Sequence, residues 1–238
     1  MTRLLALALV VLGTAAGAQA ITGVRFAEPT GRYGHHPMGP SVANHAALVL
    51  ALSDSTERWV RLPHSRVFED NAARVLDVTG DGLPEVLVVE SDLALGARLS
   101  VYGAEGLVAA SPFIGQRNRW MAVVGAGDLD DDGRIEIAVV DRPHLRRVLQ
   151  VWRVEGAALV LGAELAGVTN HRFGDPAIRG GLRNCGSGVE LVVARGDWSG
   201  LLAVRLADGR LVARNLAGGA TADGFSRALG CADQPSNS

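Results

Sequence analysis

A pattern that returns about every 50 residues constrains this chain most, because repeats of that length belong to arrays whose single units cannot bury their own apolar face. One copy reads Glu85-Val-Leu-Val-Val-Glu90, then Arg98-Leu-Ser-Val-Tyr102 and a turn at Gly103 to Gly106. A second reads Glu136-Ile-Ala-Val-Val-Asp141, then Val148-Leu-Gln-Val-Trp152 and a turn near Glu155-Gly156. A third reads Glu190-Leu-Val-Val-Ala-Arg195, then Leu201-Leu-Ala-Val-Arg205 and a turn at Asp208-Gly209. A fainter copy runs through Ala47 to Leu52 and Arg58 to Leu62.

The first run of each copy is short, apolar throughout and rich in β-branched residues, as in a strand buried on both faces. The second run alternates, with Leu99 and Val101 expected inward and Ser100 and Tyr102 outward. Turns then lead into third strands at 107–110, 158–162 and 210–214. Helical periodicity is hard to find after residue 20. The predicted fold is all-β, of propeller-type tandem repeats. Four copies plus an N-terminal strand at 22–27 fit four or five blades, with radial closure protecting the sheet edges. An open stack of blades is the alternative.

The chain divides into an expected signal peptide at 1–20, a repeat domain at 21–232 and a disordered tail at 233–238. Arg3 gives the leader its positive charge, Leu4 to Leu12 its apolar run, and Ala18-Gln19-Ala20 its cleavage site. An uncleaved anchor is the competing reading, weakened by Gly13 and Gly17. The mature protein is expected to be soluble and monomeric, periplasmic or secreted, with no membrane association after cleavage. Export favours pairing Cys185 with Cys231, the only two cysteines. Two separate buried thiols are the alternative, and clustered zinc-ligand spacing is lacking. A net charge of −2 removes the electrostatic case for a nucleic-acid partner.

The strongest chemical signal precedes the first strand of two copies. It reads Asp77-Val-Thr79-Gly-Asp81-Gly82-Leu83-Pro-Glu85 and Asp128-Leu-Asp130-Asp-Asp132-Gly133-Arg134-Ile-Glu136. Oxygen side chains at positions 1, 3 and 5 with glycine at 6 suit calcium, a hard cation that takes six to eight oxygen ligands. Leu83 and Arg134 would offer backbone carbonyls at position 7, and Glu85 and Glu136 the last carboxylate. With more carboxylates, the second loop is expected to bind calcium more tightly. The bland alternative is a pair of solvated turns.

An EF-hand would place its last acid at position 12 and continue as a helix. Here the acid comes at position 9 and opens a strand, and in this the loops resemble the FG-GAP or VCBS repeat family. The resemblance covers residues 30–215 and implies an integrin-α-like β-propeller holding structural calcium, as in relatives that include bacterial surface proteins. Phe173-Gly174-Asp175 with Pro176 to Arg179, and Tyr33-Gly34-His35-His36, are read as copies that have lost the loop.

Segments at equivalent points of the repeat are expected to ring one rim. From these, Glu69, Arg119, Trp120, Asp141, His144, His171 and Arg172 are candidate ligand-binding residues, with inter-blade hydrogen bonding as the competing role. His35, His36 and His45 lack a spaced ligand set for metal. No nucleophile elbow, phosphate-binding glycine loop or HExxH helix occurs, so no catalytic residue is assigned. The functional expectation is an exported, non-catalytic, calcium-stabilised repeat module that binds an unknown protein or glycan, or serves as an envelope component. A small hydrolase-like enzyme using the loop cluster, with Asp141–His144 or Glu69 as acid or base, is the alternative.

Overall fold

The computed structural model describes residues 19–232. The expected leader, apart from its last two residues, and the expected tail at 233–238 lie outside the described residues. The first copy forms β1 (Ile21–Thr30), β2 (Asn44–Leu52) and β3 (Glu57–Arg61). The second forms β4 (Arg66–Phe68), β5 (Arg74–Leu76), β6 (Glu85–Asp92), β7 (Gly96–Gly103) and β8 (Gly106–Ala110). The third forms β9 (Met121–Gly127), β10 (Glu136–Asp141), β11 (Val148–Glu155) and β12 (Ala158–Ala166). The fourth forms β13 (Val168–Thr169), β14 (Gly181–Asn184), β15 (Val189–Arg195), β16 (Leu201–Ala207) and β17 (Arg210–Asn215), and a helix α1 (Ala222–Leu229) follows.

Each copy is thus a small antiparallel blade. The third has the plain order β9-β10-β11-β12. In the second and fourth blades the innermost strand is split, with β4 and β5 both pairing β6, and β13 and β14 both pairing β15. The first three blades join into one curled sheet through His45 opposite Phe68 and Ala158 opposite Ala110, while the fourth stands as its own sheet. The molecule is nearly all-β and propeller-like, as the repeats predict.

The continuous apolar runs explain why the blades stack. In β6, Val86 and Val88 pack toward the first blade, while Leu87 and Val89 pack toward the third. In β10, Ile137 and Val139 face the second blade, and Ala138 and Val140 face the fourth. A period of two with both faces covered leaves no position for a polar residue facing water. Each such Val or Leu contributes roughly 1.5–3 kcal/mol on burial, so these two strands are the spine of the fold.

The far face of the fourth blade is covered differently. Val192, Ala194, Leu201 and Ala203 pack on Phe225 and Ala228 of α1 rather than on the first blade. The helix was not anticipated, since its eight residues are too short to show periodicity. Its N-cap Thr221 accepts the Gly224 N–H (3.1 Å), and Asp223 pairs with Arg227 one turn on (3.0 Å). First and fourth blades are joined by loops, where the Gly174 N–H donates to the Pro37 carbonyl (2.7 Å). Gly39 is required at that contact: its φ is +82° and a Cβ would lie 2.8 Å from the Gly174 oxygen. Among the described residues no helix is long and apolar enough to cross a membrane.

One strand reading is corrected. Ser100 and Tyr102 are buried, not outward. Their hydroxyls donate to the sealed carboxylate of Glu90 (2.9 and 2.8 Å), which Arg98 (3.0 Å) and Arg66 (3.2 Å) also hold. A polar alternation can therefore mark an internal network as well as a wet face.

Candidate functional site

Both acidic turns lie where an inner strand passes into a fully buried one. In the first, Asp77 accepts the N–H groups of Gly80 (2.7 Å) and Gly82 (2.9 Å), and Asp81 accepts that of Leu83 (2.8 Å). In the second, Asp128 accepts those of Asp132 (3.1 Å) and Gly133 (2.9 Å), and Asp132 accepts that of Arg134 (2.9 Å). Gly80 and Asp131 occupy the same left-handed position, at φ +78° and +61°. The strand-opening glutamates reach back over the turns: Glu85 accepts N–H groups from Val78 (2.9 Å) and Thr79 (3.3 Å) and the Thr79 hydroxyl (3.2 Å), and Glu136 accepts the Leu129 N–H (2.8 Å).

These contacts draw the acids together. One carboxylate oxygen each from Asp77, Asp81 and Glu85 lie within 4.8 Å of one another, and so do those of Asp128, Asp130 and Glu136. In the first turn the donor set fits a hard cation. Among the described residues no cationic side chain pairs with Asp77, Asp81 or Glu85, and burial pushes the Glu85 carboxyl above its ordinary range. Gly103 stands across from Glu85, since the register pairs Val86 with Tyr102.

The second turn does not fit in the same way. Arg153 stands across from Glu136, and its guanidinium bonds Glu136, Asp130 (3.0 Å) and Asp132 (2.9 Å). Arg134, expected to lend only a carbonyl, puts its side chain on Asp132 (3.1 Å). Burial also pushes the Glu136 carboxyl up, and the Leu129 N–H and Arg153 pull it back. Nothing in the turn's own nine residues announces Arg153, which comes from the hairpin partner strand.

The fourth blade corrects the alignment of its turn. Phe173-Gly174-Asp175 precedes β14 and sits at the other end of the blade, because β13 and β14 are separate strands. The turn equivalent to the acidic loops is Cys185 to Gly188, between β14 and β15. It carries no acid and is tied to the end of α1 by the Cys185–Cys231 disulfide, with Cα atoms 5.7 Å apart. The equivalent glutamate, Glu190, is held by Arg183 (2.9 Å) and Arg214 (2.7 Å).

At the opposite end of β9, seven residues and roughly 20 Å away, the loops form a cavity of about 150 Å³. His35, Asn118, Arg119, Trp120, His144 and Phe173 are among its lining residues. The Trp120 ring N–H donates to the Glu69 carbonyl (2.7 Å), and the Glu69 carboxylate, sealed from solvent, meets His35 Nδ1 (2.7 Å) and the Ser91 hydroxyl. Burial pushes Glu69 upward against the pull of His35. His171 Nε2 must donate to the Asp175 carbonyl (2.6 Å), so a neutral His171 accepts at Nδ1 from His144 Nε2 (2.8 Å). Burial lowers the pKa of both imidazoles, that of His144 to about 4, so both are neutral at pH 7.

The structure therefore brings together Glu69, Arg119, Trp120, His144 and His171. It does not bring Asp141, whose carboxylate is turned to Arg142 (2.8 Å) and Arg146 (2.7 Å), nor Arg172, which lies 4.0 Å over Trp198. The Asp141–His144 couple is not formed. His35 and Phe173 were missed as site residues. Both line the cavity, whereas in sequence both fall in copies read as having lost the acidic loop.

Residues 77–139, from the first acidic turn through the second and into β10, match the family of the FG-GAP-like repeat. No curated protein matches the chain.

Proposed function

Because the chain carries an FG-GAP-like repeat, we propose that it is an exported binding module, stiffened by calcium at its acidic end, that takes a protein or glycan partner at the pocketed end. Export is supported by the disulfide, which suits an oxidising compartment. Asp77, Asp81 and Glu85, with Thr79 beside them, are the residues that would hold calcium, and the bound ion would supply the positive charge this turn lacks.

The observation that carries the binding assignment is the pocket built from separate loops. Trp120 stacks on His144 with planes 15° apart, and Phe173 meets His144 edge-on at 5.3 Å. About 150 Å³ is below the 300–1,000 Å³ of typical small-molecule sites. It suits one side chain or one sugar ring of a larger partner. Arg119, which forms no ion pair among the described residues, favours an acidic group there. A second reading has one observation in its favour: a buried carboxylate on His35 Nδ1 is the arrangement that orients an imidazole base.

Glycan arrays and immobilised envelope proteins, probed with wild type, Arg119→Ala, Phe173→Ala and His35→Ala, test both. Binding that falls at least tenfold in the Arg119 and Phe173 variants, with unchanged melting temperature, supports the module. Turnover of ester or glycoside substrates by wild type, abolished in His35→Ala, would replace it with the enzyme. Wild type binding and cleaving nothing would end both readings.

A further inference from the structure

Glu85, Glu136 and Glu190 hold one position of the repeat, and all three are sealed, at 4%, 0% and 1% exposure. A buried carboxylate needs a positive partner or loses its charge. The fourth blade supplies two guanidiniums, Arg183 and Arg214. The second supplies none among the described residues. The third supplies Arg153, whose register position opposite Glu136 lets one planar fork span the strand glutamate and two aspartates of the turn.

We propose that Arg153 is the resident cation of the second acidic turn, standing where a metal-holding repeat would place its ion, so that the turn takes up a divalent cation only when this side chain is removed. The inference rests on reading the acidic turns as metal loops, and it reverses the order expected from carboxylate counting. Of Asp128, Asp130, Asp132 and Glu136, three are already bonded to Arg153, and Asp132 also to Arg134. Six to eight oxygens around calcium would have to be taken from the guanidinium, leaving a second cation beside the ion. Arg153 has little freedom to withdraw. Its own strand is paired on both sides, to Glu136 of β10 and Val160 of β12, and its side chain is 21% exposed.

Calcium stoichiometry by isothermal titration decides this, on wild type, Asp81→Lys and Arg153→Met, each checked for fold by circular dichroism. Arg153→Met is expected to bind one calcium more per chain than wild type, and Asp81→Lys, which removes a ligand of the first turn and sets an ammonium in its place, to bind none. A folded Arg153→Met with no additional ion overturns the proposal, and so does an Asp81→Lys that retains one. If Arg153→Met fails to fold, Asp81→Lys decides alone: none bound supports the resident arginine, one bound refutes it. Wild type binding nothing while Arg153→Met gains an ion would sink calcium binding at the first turn and leave this proposal standing.

Discussion

The acidic turns of the second and third blades share their spacing, their aspartate-to-N–H contacts and their strand-opening glutamate. They differ in the residue facing that glutamate from the next strand, Gly103 in one and Arg153 in the other. One absent side chain leaves three carboxylates with no cationic side chain beside them among the described residues, and one present side chain bonds an almost identical cluster from within. The fourth blade extends the series, since its turn has no acids, its glutamate has two arginines and its backbone is pinned by a disulfide. The repeat keeps a buried glutamate at the strand start, while the groups set beside it change from blade to blade. All 23 basic Lys/Arg positions of the chain are arginine, and a guanidinium can bridge several carboxylates where an ammonium acts as a point charge.

The largest effect should come from breaking the fully internal case. Arg183 is sealed and Glu190 nearly so. Burial pushes the Glu190 carboxyl up, but Arg214 and Arg183 together more than offset it and hold it low. That stability is present above the ordinary carboxylate pKa and is lost as pH falls through the depressed folded value. Arg183→Met should cost about 3 kcal/mol in urea unfolding at pH 7, the low end for stranding a buried charge, because Arg214 remains. The loss should be the same with calcium or chelator. A loss under about 1 kcal/mol would show that half-exposed Arg214 suffices, and the fourth blade would then resemble the third.

Moving the arginine should convert one turn into the other. Gly103→Arg places a guanidinium across from Glu85, and Val108→Ala must accompany it, because a Cβ at Gly103 would meet Val108 at 2.9 Å. Calcium at a hundredfold over its dissociation constant should stabilise wild type by about 2.7 kcal/mol, and the double variant by almost nothing. The Val108→Ala single variant, which should keep the calcium response, is the control. A double variant that still gains full stability from calcium would mean that the facing residue does not decide between metal and arginine.

Much of this was legible in the sequence, for identifiable reasons. The blades were visible because the middle of a strand buried on both faces is a continuous apolar run, as Val86 to Val89 of β6 and Ile137 to Val140 of β10 are. The two acidic turns were visible because their oxygen spacing is local. The pairing of Cys185 with Cys231 followed from expected export and from the absence of other cysteines. Arg153 was not legible, because its role depends on a hairpin register that sets it seventeen residues from Glu136 in sequence and opposite it in space. The fourth turn was misplaced for a related reason: splitting the inner strand into β13 and β14 shifted the alignment toward Phe173. The burial of Ser100 and Tyr102 was hidden because alternation shows which residues share a face, and the Glu90 network that buries them is assembled from β4, β6 and β7.

The smallest expected effect separates two arginines that touch the same aspartate. Arg134 belongs to the second turn itself, is 65% exposed and bonds Asp132, whereas Arg153 comes from β11 and bonds three carboxylates at 21% exposure. An exposed pair held by a flexible side chain gives back most of its Coulomb gain to solvent and to lost side-chain freedom. Arg134→Ala should therefore change stability by less than about 0.5 kcal/mol and leave calcium stoichiometry as in wild type, measured side by side with Arg153→Met. If Arg134→Ala alone admits an additional ion, the second turn is held shut by net charge rather than by the fork across from Glu136. The contrast between Gly103 and Arg153 would then be incidental to the difference between the two turns.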